Sequence, residues 1–146
     1  INPSIKRLLS ARSAVLCKKF SSEAFAKKLK PGDTVAFYGD LGAGKTAFTR
    51  GAVSLLCPSA VVSSPTYAIM NEYKGGQVNV CHFDLYRIHG EDDLYSIGFD
   101  DSADGNNIIF TEWSENVKGL LPHPRYDVTI TKGENDLRYI HIEYTE

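Results

Sequence analysis

Gly39-Asp40-Leu41-Gly42-Ala43-Gly44-Lys45-Thr46 constrains this chain more than any other stretch. It has the spacing G-x-x-x-x-G-K-[ST] of a phosphate-binding loop, and it stands between a predicted strand and a predicted helix. Ahead of it, Thr34–Tyr38 is a short run of β-branched and aromatic residues, the pattern of a strand buried on both faces. Behind it, Phe48, Ala52, Leu55 and Leu56 recur at helical spacing, and Pro58 stops the run. Strand, glycine loop and helix in this order make a trap for a polyphosphate. The glycines let backbone N–H groups converge on phosphate oxygens, and the helix N-terminus adds the positive end of its dipole. The expected binding segment is Gly39, Asp40, Leu41, Gly42, Ala43, Gly44, Lys45, Thr46 and Ala47, with Lys45 on the β/γ-phosphates and the Thr46 hydroxyl on Mg²⁺. A chance match to the four fixed positions is on the order of half a percent in a chain of this length, at average residue usage. A glycine turn without a ligand is therefore the weaker reading.

With 146 residues, a single domain is expected, spanning 13–146 behind a flexible extension at 1–12. The chain is 42% hydrophobic and 23% charged, enough to pack an ordinary core. A net charge of -2 and a pI near 6.1 argue against a strongly basic nucleic-acid surface, so any role with RNA is expected to run through a partner. Cys17, Cys57 and Cys81 are widely spaced and lack a C-x-x-C pair. They read as reduced thiols of a cytoplasmic protein, not as a disulfide framework or a structural metal site. No apolar run approaches the ~18 residues of a membrane span. The N-terminal stretch carries Lys6, Arg7 and Arg12 without the apolar core of a signal peptide.

Helix is expected from Ser13 to Lys30, with Ser22 as a cap if it is broken there, and Pro31-Gly32 ends it. Thr66–Tyr73 and Gln77–Asp84 alternate as strands around Gly75-Gly76, an antiparallel hairpin. Glu91–Ile97 reads as a short helix with acids in its first turn and Gly98 as its left-handed cap. Asp100–Asn107 reads as loop, Ile108–Thr111 as a strand ending at Glu112-Trp113, and Asn116–Leu121 as a short helix stopped by Pro122. Tyr126–Thr131 and Leu137–Tyr144 form a C-terminal hairpin. The expected fold is an α/β, P-loop NTPase-like three-layer domain. Its sheet is mixed, partly antiparallel, with six or seven strands, and the nucleotide sits at the strand ends.

A phosphate loop also needs an acid for the metal's water shell and a group to orient the attacking water or acceptor. Asp84 and Glu112 both end apolar strands, where the ligand crevice of such sheets opens, although each also fits an ordinary strand-end acid. Thr66, in a Pro-Thr stretch, suits a switch segment that senses metal and γ-phosphate, or simply a turn. Trp113 either lines the nucleotide pocket or packs half-buried. Arg50 and Arg87 fit surface roles better than catalysis, and the four histidines show no metal-ligand spacing. The Asn-Lys-x-Asp signature for guanine is absent, which favours ATP. Small-molecule kinase and non-catalytic nucleotide switch remain as alternatives.

Several stretches together resemble the TsaE family of small bacterial P-loop ATPases that act in tRNA threonylcarbamoyladenosine formation. They are Gly39–Thr46, Arg50-Gly51, Ser64-Pro65-Thr66-Tyr67, Glu72-Tyr73, His82-Phe83-Asp84-Leu85-Tyr86-Arg87 and Glu112-Trp113. The match runs from about Pro31 to Trp113 and continues weakly to the C-terminal hairpin. The resemblance implies ATP and Mg²⁺ as cofactors, Thr46 and Glu112 at the metal, Asp84 as a Walker-B-like acid and Thr66 in a switch-like segment. It implies partners TsaB and TsaD, which carry out the transfer to an adenosine of tRNA while ATP hydrolysis here supports turnover; contact with tRNA is then indirect. Two departures stand out. Ser114 occupies a position where many members have proline, and the N-terminal helix, which in the family lies near the adenine, matches poorly.

Overall fold

The computed structural model describes residues 7–9 and 22–146. The expected helix start at Ser13 and Cys17 lie outside the described residues. In chain order the elements are β1 (Arg7–Leu9), helical residues 22–26 (α1), β2 (Thr34–Tyr38), α2 (Lys45–Leu56), β3 (Met70–Tyr73) and β4 (Asn79–Asp84). Then follow α3 (Glu91–Ser96), α4 (Phe99–Ser102), β5 (Asn107–Glu112), a 3-10 helix Ser114–Leu120, β6 (Arg125–Lys132) and β7 (Arg138–Thr145). The strands form one seven-stranded sheet in the order β1-β7-β6-β2-β5-β4-β3. Its centre, β6-β2-β5-β4, is parallel, and β3, β7 and β1 are antiparallel to their neighbours. The mixed sheet is thus as expected, and β2 has a parallel strand on each side and all five residues buried.

Alternation along the strands sorts side chains into two cores and so decides what the site faces. Val35 and Phe37 of β2, Val80 of β4, Ile108 and Phe110 of β5 and Val128 and Ile130 of β6 point to the layer that holds α1 and α2. Ala36 and Tyr38, Cys81 and Phe83, and Ile109 point to the opposite layer, built from Leu94 of α3, Phe99 of α4 and Val117 of the 3-10 helix. Phe48 anchors α2 on the first face. Its ring is fully buried, 5.6 Å from Phe37 and 5.8 Å from Phe25. Burial of a ring this size contributes about 1.5–3 kcal/mol, and it holds the start of α2 over the sheet.

Four local expectations change. The strand expected from Thr66 begins only at Met70, because residues 66–68 turn and Ile69 takes a left-handed φ of 69°. Within the stretch read as loop, Phe99–Ser102 is one helical turn, nucleated by left-handed Gly98 and anchored by buried Phe99. The first helix gives way to a turn at 27–28, short of Lys30. Arg7–Leu9, assigned from sequence to an extension, pair antiparallel with β7. Cys57 and Cys81 are free and buried, and burial pushes both thiols up from their ordinary pKa.

Candidate functional site

Strand parity brings the acids to the loop. Asp84 follows Val80 and His82 at intervals of two on β4, and Glu112 follows Ile108 and Phe110 on β5. Both acids therefore point to the α2 side, and Asp84 and Glu112 are register partners at the carboxyl ends of their parallel strands. The glycine loop leaves β2 beside them. Gly39, Gly42 and Gly44 have φ of 140°, 75° and 112°. Gly39 has a second reason to be glycine: a Cβ there would lie 2.3 Å from the Ile130 carbonyl oxygen.

Inside the loop the Ala43 N–H donates to the Asp40 carbonyl at 3.0 Å, and the helical ladder begins with Phe48 N–H on the Gly44 carbonyl at 2.9 Å. The amides of the first turn of α2 precede that ladder and have no helical acceptor. Gly44 at the cap supplies no side-chain acceptor, and the first turn holds no acid. A twelve-residue helix thus presents bare donors and the positive end of its dipole to the crevice.

The Thr46 hydroxyl donates to Glu112 Oε1 at 2.8 Å. Glu112 is buried, and His82 Nε2 lies 3.4 Å from the same oxygen. Burial pushes the Glu112 carboxyl up, but His82, the Thr46 hydroxyl and the Lys45 charge outweigh it and hold the group below the ordinary glutamate range. Glu112 is consequently an anion at neutral pH, sunk beside a hydroxyl. His82 Nδ1 is buried without a hydrogen-bond partner, and Nε2, equally buried, faces the Glu112 carboxylate at ion-pair distance. Asp84 is also buried, and its Oδ1 accepts the Tyr86 N–H at 2.9 Å.

Lys45 donates to the Gly39 carbonyl, and its ammonium stands 3.8 Å from the centre of the Trp113 ring. Trp113 is half-buried with a left-handed φ of 59°, and its ring meets Tyr86 edge-on at 5.1 Å. Among the described residues no carboxylate lies within ion-pair distance of this ammonium, which rests on an aromatic face and a neutral carbonyl and so remains available to an incoming anion.

Of the residues singled out from sequence, the structure gathers Gly39–Ala47, Asp84, Glu112 and Trp113. It does not gather Thr66, which is exposed in the turn at 66–68 and shares a 2.8 Å hydrogen bond with Ser64. A backbone bond ties the segment to the site, from the Asp84 N–H to the Ile69 carbonyl at 2.8 Å. Sequence reasoning missed His82, although its position two before Asp84 on an alternating strand was a usable sign. It also missed Glu115, whose Oε1 accepts the Gly39 N–H at 3.1 Å, and Lys132 and Arg138 of the C-terminal hairpin.

The donors fit magnesium. Among the described residues no three His, Cys, Asp or Glu side chains converge as a ligand set. A hydroxyl, one buried carboxylate and a second acid nearby suit an ion that keeps most of its waters and borrows phosphate oxygens. No helix among the described residues is long and apolar enough to cross a membrane.

Known proteins resemble this chain over most of its length. Residues 16–140 match the family model of threonylcarbamoyl adenosine biosynthesis protein TsaE. The tRNA threonylcarbamoyladenosine biosynthesis protein TsaE of Rickettsia prowazekii is 39% identical over 118 residues, 80% of this chain and 81% of the relative. The protein of that name from Bacillus subtilis is 38% identical over 117 residues, 80% of this chain and 71% of its own. A crystal structure of Bacillus subtilis YdiB superposes with a TM-score of 0.81 at 27% identity, covering 99% of this chain and 88% of that one.

Proposed function

The chain belongs to the TsaE family, and we propose that it is a magnesium-dependent ATPase subunit that supports N6-threonylcarbamoyladenosine formation on tRNA together with TsaB and TsaD. The observation that carries this reading is the 2.8 Å bond between Thr46 Oγ1 and a buried, ionised Glu112 at the mouth of the glycine loop. A threonine next to the loop lysine, paired with an anion at a strand end, is the arrangement that holds magnesium beside a nucleoside triphosphate.

The chain's own residues divide the work. Amides of the loop and of the first turn of α2 bind the phosphates, and Lys45 exchanges the Gly39 carbonyl for phosphate oxygens. Thr46 and Glu112 hold the metal, with Asp84 on its water shell. When bound, magnesium neutralises charge that builds on the phosphates during cleavage. Trp113 keeps water from one side of Lys45. Thr66 completes the water-positioning side only after its turn reorients, a change that a docked partner would drive. That need gives a physical reason for slow hydrolysis alone and faster hydrolysis in the complex. The acidic balance of the chain agrees with tRNA being held mainly by other subunits.

The test is co-purification with TsaB and TsaD and an ATPase assay on the mixture. Stimulated hydrolysis is expected. No binding and no stimulation would overturn the partner reading, and phosphoryl transfer to a small-molecule acceptor would turn the assignment to a kinase.

A further inference from the structure

The C-terminal hairpin reaches the phosphate loop with two cations. Lys132 Nζ donates to the Leu41 carbonyl at 2.8 Å, and Arg138 Nε donates to the Ala43 carbonyl at 3.2 Å. Lys132 and Arg138 are directly opposite each other in the last rung of the β6–β7 ladder. Strand parity puts both on the loop's face, since Ile130 and Ile140 form the preceding rung of that face and point into the core beneath α2.

Like charges directly opposite in an antiparallel pair destabilise it. Among the described residues no carboxylate lies within ion-pair distance of either cation. The turn that joins them is tightly specified. The Gly133 N–H bonds the Leu137 carbonyl at 2.9 Å, and Asn135 and Asp136 both take left-handed φ. A Cβ on Gly133 would lie 2.5 Å from the Tyr139 ring. Lys132 Nζ is also 3.3 Å from where a Cβ on Gly42 would stand, so it lies over the loop's open glycine. An ammonium has three donors, and the Leu41 carbonyl occupies one.

We propose that Lys132 is a second phosphate-binding cation of the nucleotide site, delivered to the loop by the C-terminal hairpin. Arg138 holds the loop carbonyl beneath it. The ligand is a phosphate oxygen of the bound nucleoside triphosphate, which supplies the negative charge that this rung lacks. The inference rests on the nucleotide reading above.

The experiment measures Mg-ATP affinity by calorimetry on the full chain, at low and high salt, for wild type, Lys132→Gln, Lys132→Arg and Lys45→Ala. Lys132→Gln keeps a donor for the Leu41 carbonyl and removes the charge. It should weaken Mg-ATP on the order of tenfold, the worth of one charge-assisted hydrogen bond. It should also reduce the salt dependence, with the melting temperature of the nucleotide-free protein unchanged. Lys132→Arg should restore affinity. Unchanged affinity in Lys132→Gln, while Lys45→Ala loses binding, would overturn this inference alone. Unchanged affinity in Lys45→Ala would overturn the nucleotide reading itself. Equal losses in Lys132→Gln and Lys132→Arg with a lowered melting temperature would make Lys132 a support of loop shape and overturn the proposal. So would intact Mg-ATP binding with weakened tRNA binding in Lys132→Gln, which would assign the cation to an RNA surface.

Discussion

Glu112 and Thr66 serve the same proposed reaction, yet the fold treats them in opposite ways. Glu112 ends β5, with parallel strands on both sides, and it is buried, ionised and already bonded to Thr46. Thr66 sits in an exposed turn beside Tyr67, which is 90% exposed, and its hydroxyl is engaged with Ser64. The difference comes from the scaffolds. A strand inside a sheet has its register fixed by neighbours and its side-chain direction fixed by parity, so the acid is in place before any ligand arrives. A surface turn is held by few contacts and opens at small cost. Its anchor at Ile69 is a β-branched residue in a left-handed conformation, which costs about 1–3 kcal/mol. On the proposed function, metal and phosphate binding would belong to the rigid half of the site, and timing to the movable half.

The contrast is open to attack at four points. The largest effect is expected at Lys45. Lys45→Ala should weaken ATP by about 100-fold or more, since it removes two charge-assisted contacts to phosphate; calorimetry showing unchanged affinity would dissolve the rigid half altogether. Next is Gly39→Ala, which puts a Cβ at 2.3 Å from the Ile130 carbonyl in a backbone at φ 140°. A loss of about 2–4 kcal/mol in urea unfolding is expected, and a neutral result would mean the loop is softer than its geometry implies.

Glu112→Gln should lower the benefit that Mg²⁺ brings to ATP binding by roughly tenfold, the low end for losing a group at a metal site. Titrations with and without Mg²⁺ read it directly, and an undiminished benefit would leave the Thr46 pairing merely structural. The smallest binding effect is expected at Thr66. Thr66→Ala should leave ATP affinity and the stability of the nucleotide-free protein almost unchanged, within about 0.5 kcal/mol. Hydrolysis in the presence of TsaB and TsaD should nevertheless fall. A large affinity loss without partners would erase the contrast between the two halves.

Much of the site was legible because its signals are local. The loop, the strand before it and the helix after it are contiguous, and their spacing alone states their geometry. Asp84 and Glu112 were legible as acids closing apolar strands. His82 was not, because a histidine on an alternating strand reads the same whether it packs or faces a carboxylate. The turn at Phe99–Ser102 was hidden because its four residues are too few to show a helical period. The expected strand from Thr66 failed on the conformation of Ile69, which no propensity forecasts. Lys132 and Arg138 escaped for a different reason. They lie more than ninety residues from the loop carbonyls they bond, counting 91 and 95 positions. Nothing near them in the chain points to a phosphate.

From sequence alone came the phosphate loop, the α/β class with a partly antiparallel sheet, the two acids and the family resemblance. Each is encoded in residues near one another, where spacing and periodicity act directly. Tertiary structure decided which of these meet. The β2–β6 and β5–β4 pairings bring the Ile130 carbonyl against Gly39, set Asp84 beside Glu112 and carry Lys132 to the loop. Such pairings depend on long-range hydrogen bonding and on packing two cores at once, and neither is written in any single stretch of the chain. They left Thr66 outside, and that is the part of the site the sequence placed too early.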